Sequence, residues 1–192
     1  MALPQDFQFK QIPKHNTNKC YNYHILKYER SVTMEFQSIM HVSFFADDLE
    51  KIREFYEDKL NCKIKMLVRN KAYLDKPQSS FYKRAQQDPE GIAIIYFEVA
   101  PRQFVEFFPA VATQKPHTEF NEHIGYSHFS LLVEDIHKAR EEFVAKGVPI
   151  TVEPTIGNSH TWQMWIHDPE GNKIEVMQFT DESFQLVGHI DD

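Results

Sequence analysis

The sequence predicts an α+β protein made of two copies of one strand–helix–three-strand module. The first observation is a repeat. Met40 to Leu49 reads MHVSFFADDL, and residues 127–136 read SHFSLLVEDI, with His41 on His128, Ser43 on Ser130 and Asp48 on Asp135. The second is patterning. Each copy alternates apolar with small or polar residues, then gives an acidic cap and apolar residues at helical spacing. A repeat this long fits a duplicated half-domain rather than a solenoid.

Taken in order, residues 1–37 repeat nothing, carry a polar run, HNTNK, and read as an N-terminal arm. The first module spans 38–124. Its first strand covers 39–45 and places His41, Ser43 and Phe45 on one face. A helix follows over 48–59, with Leu49, Ile52, Phe55, Tyr56 and Leu60 at three- and four-residue steps, and Asp47 with Glu50 in the pattern of a capping box. Cys62 to Val68 alternates as a strand. Residues 69–90, with Pro77 and Pro89, read as a long loop holding one helical turn near 81–87, and loops of this length in compact domains are often functional. Gly91 opens IAIIYFEVA, a strong strand former, Pro101 breaks it, and QFVEFF at 103–108 returns as the hairpin partner. A connecting segment over 109–124 holds His117 and His123.

The second module spans 125–180. Its helix, 135–146, sets Ile136, Ala139, Phe143 and Val144 on one face and stops at Gly147. Strands are expected at 148–152, 162–167 and 173–178, a turn-rich loop at 154–158, and a tight turn at Asp168-Pro169-Glu170-Gly171-Asn172. A second DPEG, at 88–91, sits out of register with the repeat and reads as coincidence. The tail, 181–192, is acidic and reads as mobile or loosely docked.

Composition narrows the class. A chain of 192 residues with 42% apolar content, sixteen Phe and eight Tyr is globular with an aromatic interior. The net charge of −7 disfavours nucleic acid and anionic membrane as partners. Two cysteines, Cys20 and Cys62, give neither a disulfide framework nor zinc-finger spacing. With no membrane-length apolar run and no leader pattern, a cytoplasmic protein with a small-molecule substrate is expected, and a homodimer is compatible with it.

Four residues stand out: His41, Glu106, His128 and Glu175. Each module supplies one histidine from its first strand and one glutamate from its last. Two imidazoles and two carboxylates suit a divalent first-row metal with positions left for water or substrate, and not a closed structural zinc site. Other readings stand beside this one. A strand histidine is commonly a packed or surface residue, and Glu175 shares its face with Lys173 as in a surface ion pair. Glu106 lies among Phe104, Phe107 and Phe108, where an unpaired carboxylate is costly and calls for a cation or hydrogen-bond donor.

Three stretches, HVSFFADDLEKIREFYEDKLNCKI, HFSLLVEDIHKAREEFVAKGV and DPEGNKIEV, resemble the vicinal oxygen chelate superfamily. That group holds glyoxalase I, methylmalonyl-CoA epimerase, extradiol dioxygenases and bleomycin- and fosfomycin-resistance proteins. The resemblance covers roughly residues 38–180. It implies paired βαβββ modules forming an open eight-stranded barrel around one metal, with His41, Glu106, His128 and Glu175 as ligands in the manner of glyoxalase I. The implied metal is nickel, zinc, cobalt or manganese, with iron also compatible. The implied chemistry is that of a lyase or isomerase acting on vicinal oxygens through an enediolate-type intermediate. In that scheme Glu175 is the expected base and Glu106 mainly a ligand.

Two departures weaken the case for a glutathione adduct, since Phe45 stands where such enzymes carry arginine and Ala110 where they carry asparagine. The rival readings are an iron-dependent dioxygenase and a protein that sequesters a ligand without turnover. His160, Trp162 and Trp165 are further pocket candidates, and both tryptophans equally suit the core.

Overall fold

The computed structural model describes residues 37–116, 122 and 124–191. The expected arm, save Gln37, and both His117 and His123 lie outside the described residues. The first module runs β1 (His41–Ala46), α1 (Leu49–Arg53) continued by a π-helical turn (Glu54–Lys59), β2 (Lys63–Arg69), a 3-10 turn (Asn70–Tyr73), α2 (Tyr82–Gln87), β3 (Ile92–Ala100) and β4 (Gln103–Pro109). The second runs β5 (Phe129–Leu132), α3 (Ile136–Ala145), β6 (Val152–Ile156), β7 (Trp162–His167) and β8 (Lys173–Gln178), followed by a short α4 (Phe184–Val187). The strands make two four-stranded sheets of identical topology, β1-β4-β3-β2 and β5-β8-β7-β6, with no ladder joining the two among the described residues. In each sheet the first strand lies parallel to the last, and the other pairings are antiparallel. The duplication read from the sequence is therefore a duplication of fold. No helix among the described residues is long and apolar enough to cross a membrane.

Four local expectations are corrected. The cap of α1 is Asp48, which accepts from the Glu50 and Lys51 amides, and not Asp47. Asp135 caps α3 in the same way, so the cap is part of the repeat. The helix predicted to Lys59 widens after Arg53, with Leu60 N–H donating to Phe55 C=O, and the adjacent rings of Phe55 and Tyr56 both reach the core. The strand expected at 148–152 begins only at Val152. Val148 instead completes the end of α3, its N–H donating to Phe143 C=O while Gly147, at φ 69°, donates to Val144 C=O. Pro154, read as loop, is tolerated in β6 because β6 is an edge strand that pairs only with β7. The tail is docked through α4, with Phe184 N–H on Ser159 C=O and Thr161 Oγ1 on Gln185.

Register decides which side chains go inward. On β3 and β4, Ile95, Phe97, Val105 and Phe107 share the inward face, and on β7 and β8, Met164, Ile166, Ile174 and Val176 do. These, with Ile52, Tyr56 and Ile136, form one cluster to which both modules contribute. At 0–1% exposure they carry most of the stabilisation, roughly 1.5–3 kcal/mol for each large apolar side chain. The Asp168 turn then clasps the modules together. Buried Asp168 accepts from the Tyr56 hydroxyl at 3.2 Å, the Asn172 amide group at 2.8 Å, and the backbone N–H groups of Glu170 and Asn172. Glu170 accepts from the Asp47 and Asp48 amides at the start of α1. Burial raises the Asp168 carboxyl above its ordinary range and raises the Tyr56 phenol well above its own, with Asp168 adding to the latter.

Two substitutions should separate the strands of this clasp. Tyr56→Phe removes one hydrogen bond and should cost about 1 kcal/mol, while Asp168→Ala orphans four donors and should cost roughly 3 kcal/mol or more. Urea unfolding followed by circular dichroism reads both, and equal small losses would show that the turn does not hold the modules.

Candidate metal centre

Strand alternation that sends Val105 and Phe107 into the core sends Glu106 out of the opposite face of its sheet. His41, Ser43 and Phe45 emerge from that same face on β1, and β1 sits beside β4 with Ser43 opposite Glu106. His41 Nε2 lies 3.5 Å from Glu106 Oε2. The second module repeats the arrangement. Ser130 sits opposite Glu175, and His128 Nε2 lies 3.4 Å from Glu175 Oε2. Two donors each about 2.1 Å from one cation are roughly 3.0–3.4 Å apart at octahedral to tetrahedral angles, so each pair fits a shared divalent ion. The carboxylates are 6% and 8% exposed while both histidines are open to solvent by about a third. A buried carboxylate beside an accessible imidazole is a setting that suits a ligand pair.

The pairs are not gathered with each other. Each lies on the face of its sheet turned away from the shared core, and among the described residues no three of His, Cys, Asp and Glu come together in a metal-binding group. One copy therefore displays two separate histidine–glutamate pairs.

Each pair is trimmed differently. Around Glu106, the Tyr96 ring meets His41 edge-on at 5.6 Å and Phe104 at 5.9 Å. Burial, then its hydrogen bond to Glu106, pushes the Tyr96 phenol up to about 12, so it stays a donor to the carboxylate across the ordinary pH range. Around Glu175, the Ser130 hydroxyl donates to Oε2 at 2.7 Å, and the Trp165 ring meets His128 edge-on at 4.8 Å with Lys173 Nζ 4.1 Å above it. Of the three further candidates, Trp165 lies beside the His128–Glu175 pair. Trp162 lies on the opposite face of β7, against His137 of α3 at 5.0 Å, and packs against the core. His160 sits in a turn at φ 57°, stacked on Phe184 with Nδ1 3.3 Å from Glu182. A cleft of about 610 Å³ near Ser43, Phe45, Lys115, Tyr126 and Glu170 contains none of the four proposed ligands.

Tyr96 is a neighbour of the His41–Glu106 pair that the sequence reading missed. Counting back across the 101–102 turn sets Phe97 opposite Glu106, but a register shift between Glu98 and Ala100 puts Tyr96 there instead.

Residues 38–176 match the family model described as the Glyoxalase/Bleomycin resistance protein/Dioxygenase superfamily, and the chain belongs to that family, the vicinal oxygen chelate group. A search of curated proteins gives no significant match. Solved structures share the fold. A lactoylglutathione lyase from Agrobacterium tumefaciens is 19% identical at a TM-score of 0.52, covering 81% of this chain and all of its own. A glyoxalase family protein from Enterococcus faecalis is 19% identical at 0.54, covering 75% and 99%. A glyoxalase/bleomycin resistance protein/dioxygenase from Alicyclobacillus acidocaldarius is 14% identical at 0.52, covering 76% and 94%.

Because Ser130 is the hydroxyl donor to Glu175, Ser130→Ala should weaken a divalent ion held at this pair about 10-fold or more. Competition with a chromogenic chelator measures it, and an unchanged affinity would show that Ser130 does not orient the ligand.

Proposed function

We propose that this protein is a metal-dependent lyase or isomerase of glyoxalase type, acting on a small substrate with vicinal oxygens. Its site assembles from the His41–Glu106 pair of one copy and the His128–Glu175 pair of a second. The observation that carries this is the matched pairs: the same two residue types, at the same register, at 3.5 and 3.4 Å, on two outward sheet faces. Two ligands from each of two copies complete a four-ligand set and close the open barrel that a single chain leaves as two sheets. A two-fold dimer of this kind has two such sites.

A divalent ion bound there, whether nickel, zinc, cobalt, manganese or iron, supplies Lewis-acid polarisation of neighbouring substrate oxygens. The residues divide the remaining work. Tyr96 donates a hydrogen bond to Glu106 and fixes its orientation, which suits a ligand. Glu175 directs Oε2 to Ser130 and His128, which leaves Oε1 to take and return the proton on the carbon next to the substrate oxygens. Trp165 forms a flat wall beside it. The glutathione adduct fits this surface poorly, because Phe45 and Ala110 offer no side-chain charge or hydrogen bond to a tripeptide.

Metal content and solvent-deuterium exchange into 2-hydroxyacetophenone, an α-hydroxyketone, test the reading. Wild type should hold a divalent ion and exchange the carbinol protons. Glu175→Gln should keep most metal and lose exchange about 100-fold or more, and Glu106→Gln should lose metal first. Exchange at the wild-type rate in Glu175→Gln defeats the role assignment. Ligand binding without metal would favour the sequestering reading, and dioxygen uptake on a catechol with bound iron the dioxygenase.

A further inference from the structure

The long segment between β2 and β3 is a closed loop with a built neck. Asn70 N–H donates to Gly91 C=O and Lys71 N–H to Pro89 C=O, the Asn70 amide group donates to Asp88 C=O at 2.8 Å, and Lys71 Nζ meets the Glu90 carboxylate at 3.0 Å. Ends this close, with an interior packed by Ala85 at 0% exposure, make a closed, packed loop rather than a loose excursion. The loop is also fastened at its far side, where Arg84 donates to Ala110 C=O at 2.6 Å just past β4.

The fastening lays aromatic rings in a row on the face that holds His41 and Glu106. Phe45 and Phe108 are register partners on that face, with centroids 6.0 Å apart. Phe81 of the loop stacks on Phe108 at 6.0 Å and 29°, and Tyr73 of the loop lies on Phe81 at 4.9 Å. Phe108 is two residues from Glu106 on the same strand face, so the row starts beside the carboxylate. Phe45 is 56% exposed, and Phe81, Phe108 and Tyr73 are half-buried, so ring surface is open. Such a row offers π-faces and edges to a ligand. At its far end the row meets a charged group, Lys76 Nζ, 5.1 Å over the Tyr73 ring, and the Phe45–Phe108–Phe81 stretch before it favours an apolar substituent.

We propose that the 70–91 loop is a specificity element, with Phe81 its determinant, and that the substrate carries an aromatic or flat apolar group next to its vicinal oxygens. This rests on the metal-site reading above and adds the substrate class to it. Benzohydroxamate and acetohydroxamate are the probes, since both present the same two neighbouring oxygens and differ in the ring.

Calorimetry on nickel-loaded protein should show benzohydroxamate binding about 10-fold tighter. Phe81→Ala should abolish that preference and leave acetohydroxamate unchanged, while Phe81→Leu, which keeps the loop filled, should lose part of it. An unaltered preference in Phe81→Ala overturns the proposal, as does an equal loss for both probes in both variants. Saturation-transfer NMR with benzyl alcohol on chelator-treated protein reads the wall without any metal. Transfer that depends on Phe81 there, in a protein that binds no nickel, would uphold the wall and defeat only the metal reading. Transfer that ignores Phe81 defeats the wall.

Discussion

The shared core constrains everything else in this molecule. Both modules turn the Ile95–Phe97 and Ile174–Val176 faces of their sheets, with α1 and α3, toward one apolar cluster. The Asp168 clasp reaches from the last hairpin of one module to Tyr56 of the other. Because strands alternate, committing those faces to the core commits His41, Glu106, His128 and Glu175 to the opposite ones. The chain thus cannot hide its histidine–glutamate pairs without giving up its interior. The pairs face outward, away from the shared core.

The halves match in topology and differ in support. Glu106 is ringed by Tyr96, Phe104 and Phe108, and its donor is a phenol that burial keeps protonated. Glu175 has a small hydroxyl donor and a tryptophan beneath Lys173. Duplication supplied two equal carboxylates, and their neighbours give them unequal surroundings: one set among aromatic rings, the other beside a small hydroxyl donor. The 70–91 loop sharpens the difference, because the second module has no counterpart to Phe81.

Much of this was legible in the residues. The repeat at His41 and His128 fixed the modular plan, and local chemistry at Asp135, Gly147 and the Asp168 turn marked where elements start and stop. The pairing of Glu106 was readable because a carboxylate amid Phe104, Phe107 and Phe108 needs a partner, and His41 and Tyr96 supply it. What escaped depended on distant pairing or a single-residue slip. The bulge near Val99 swaps Tyr96 for Phe97 beside Glu106. The role of Asp168 toward Tyr56 joins positions far apart in the chain. Strand alternation alone sets Trp162 and Trp165 on opposite faces of β7, and the packing of Met164 and Ile166 into the core shows that Trp162 takes the inward one and Trp165 the face of His128. The separation of the two pairs follows from how the sheets pack, which no local pattern encodes.

Sharing of the site between copies is the central claim, and subunit mixing tests it most directly. One variant carries His41→Ala with Glu106→Gln, and the other His128→Ala with Glu175→Gln. Each alone should bind no metal tightly. Unfolded together and refolded as a mixture, they should form heterodimers in which one of the two sites has all four native ligands, so tight metal binding returns at about one ion per heterodimer. A mixture that forms heterodimers yet binds no more metal than the separate variants would contradict the account.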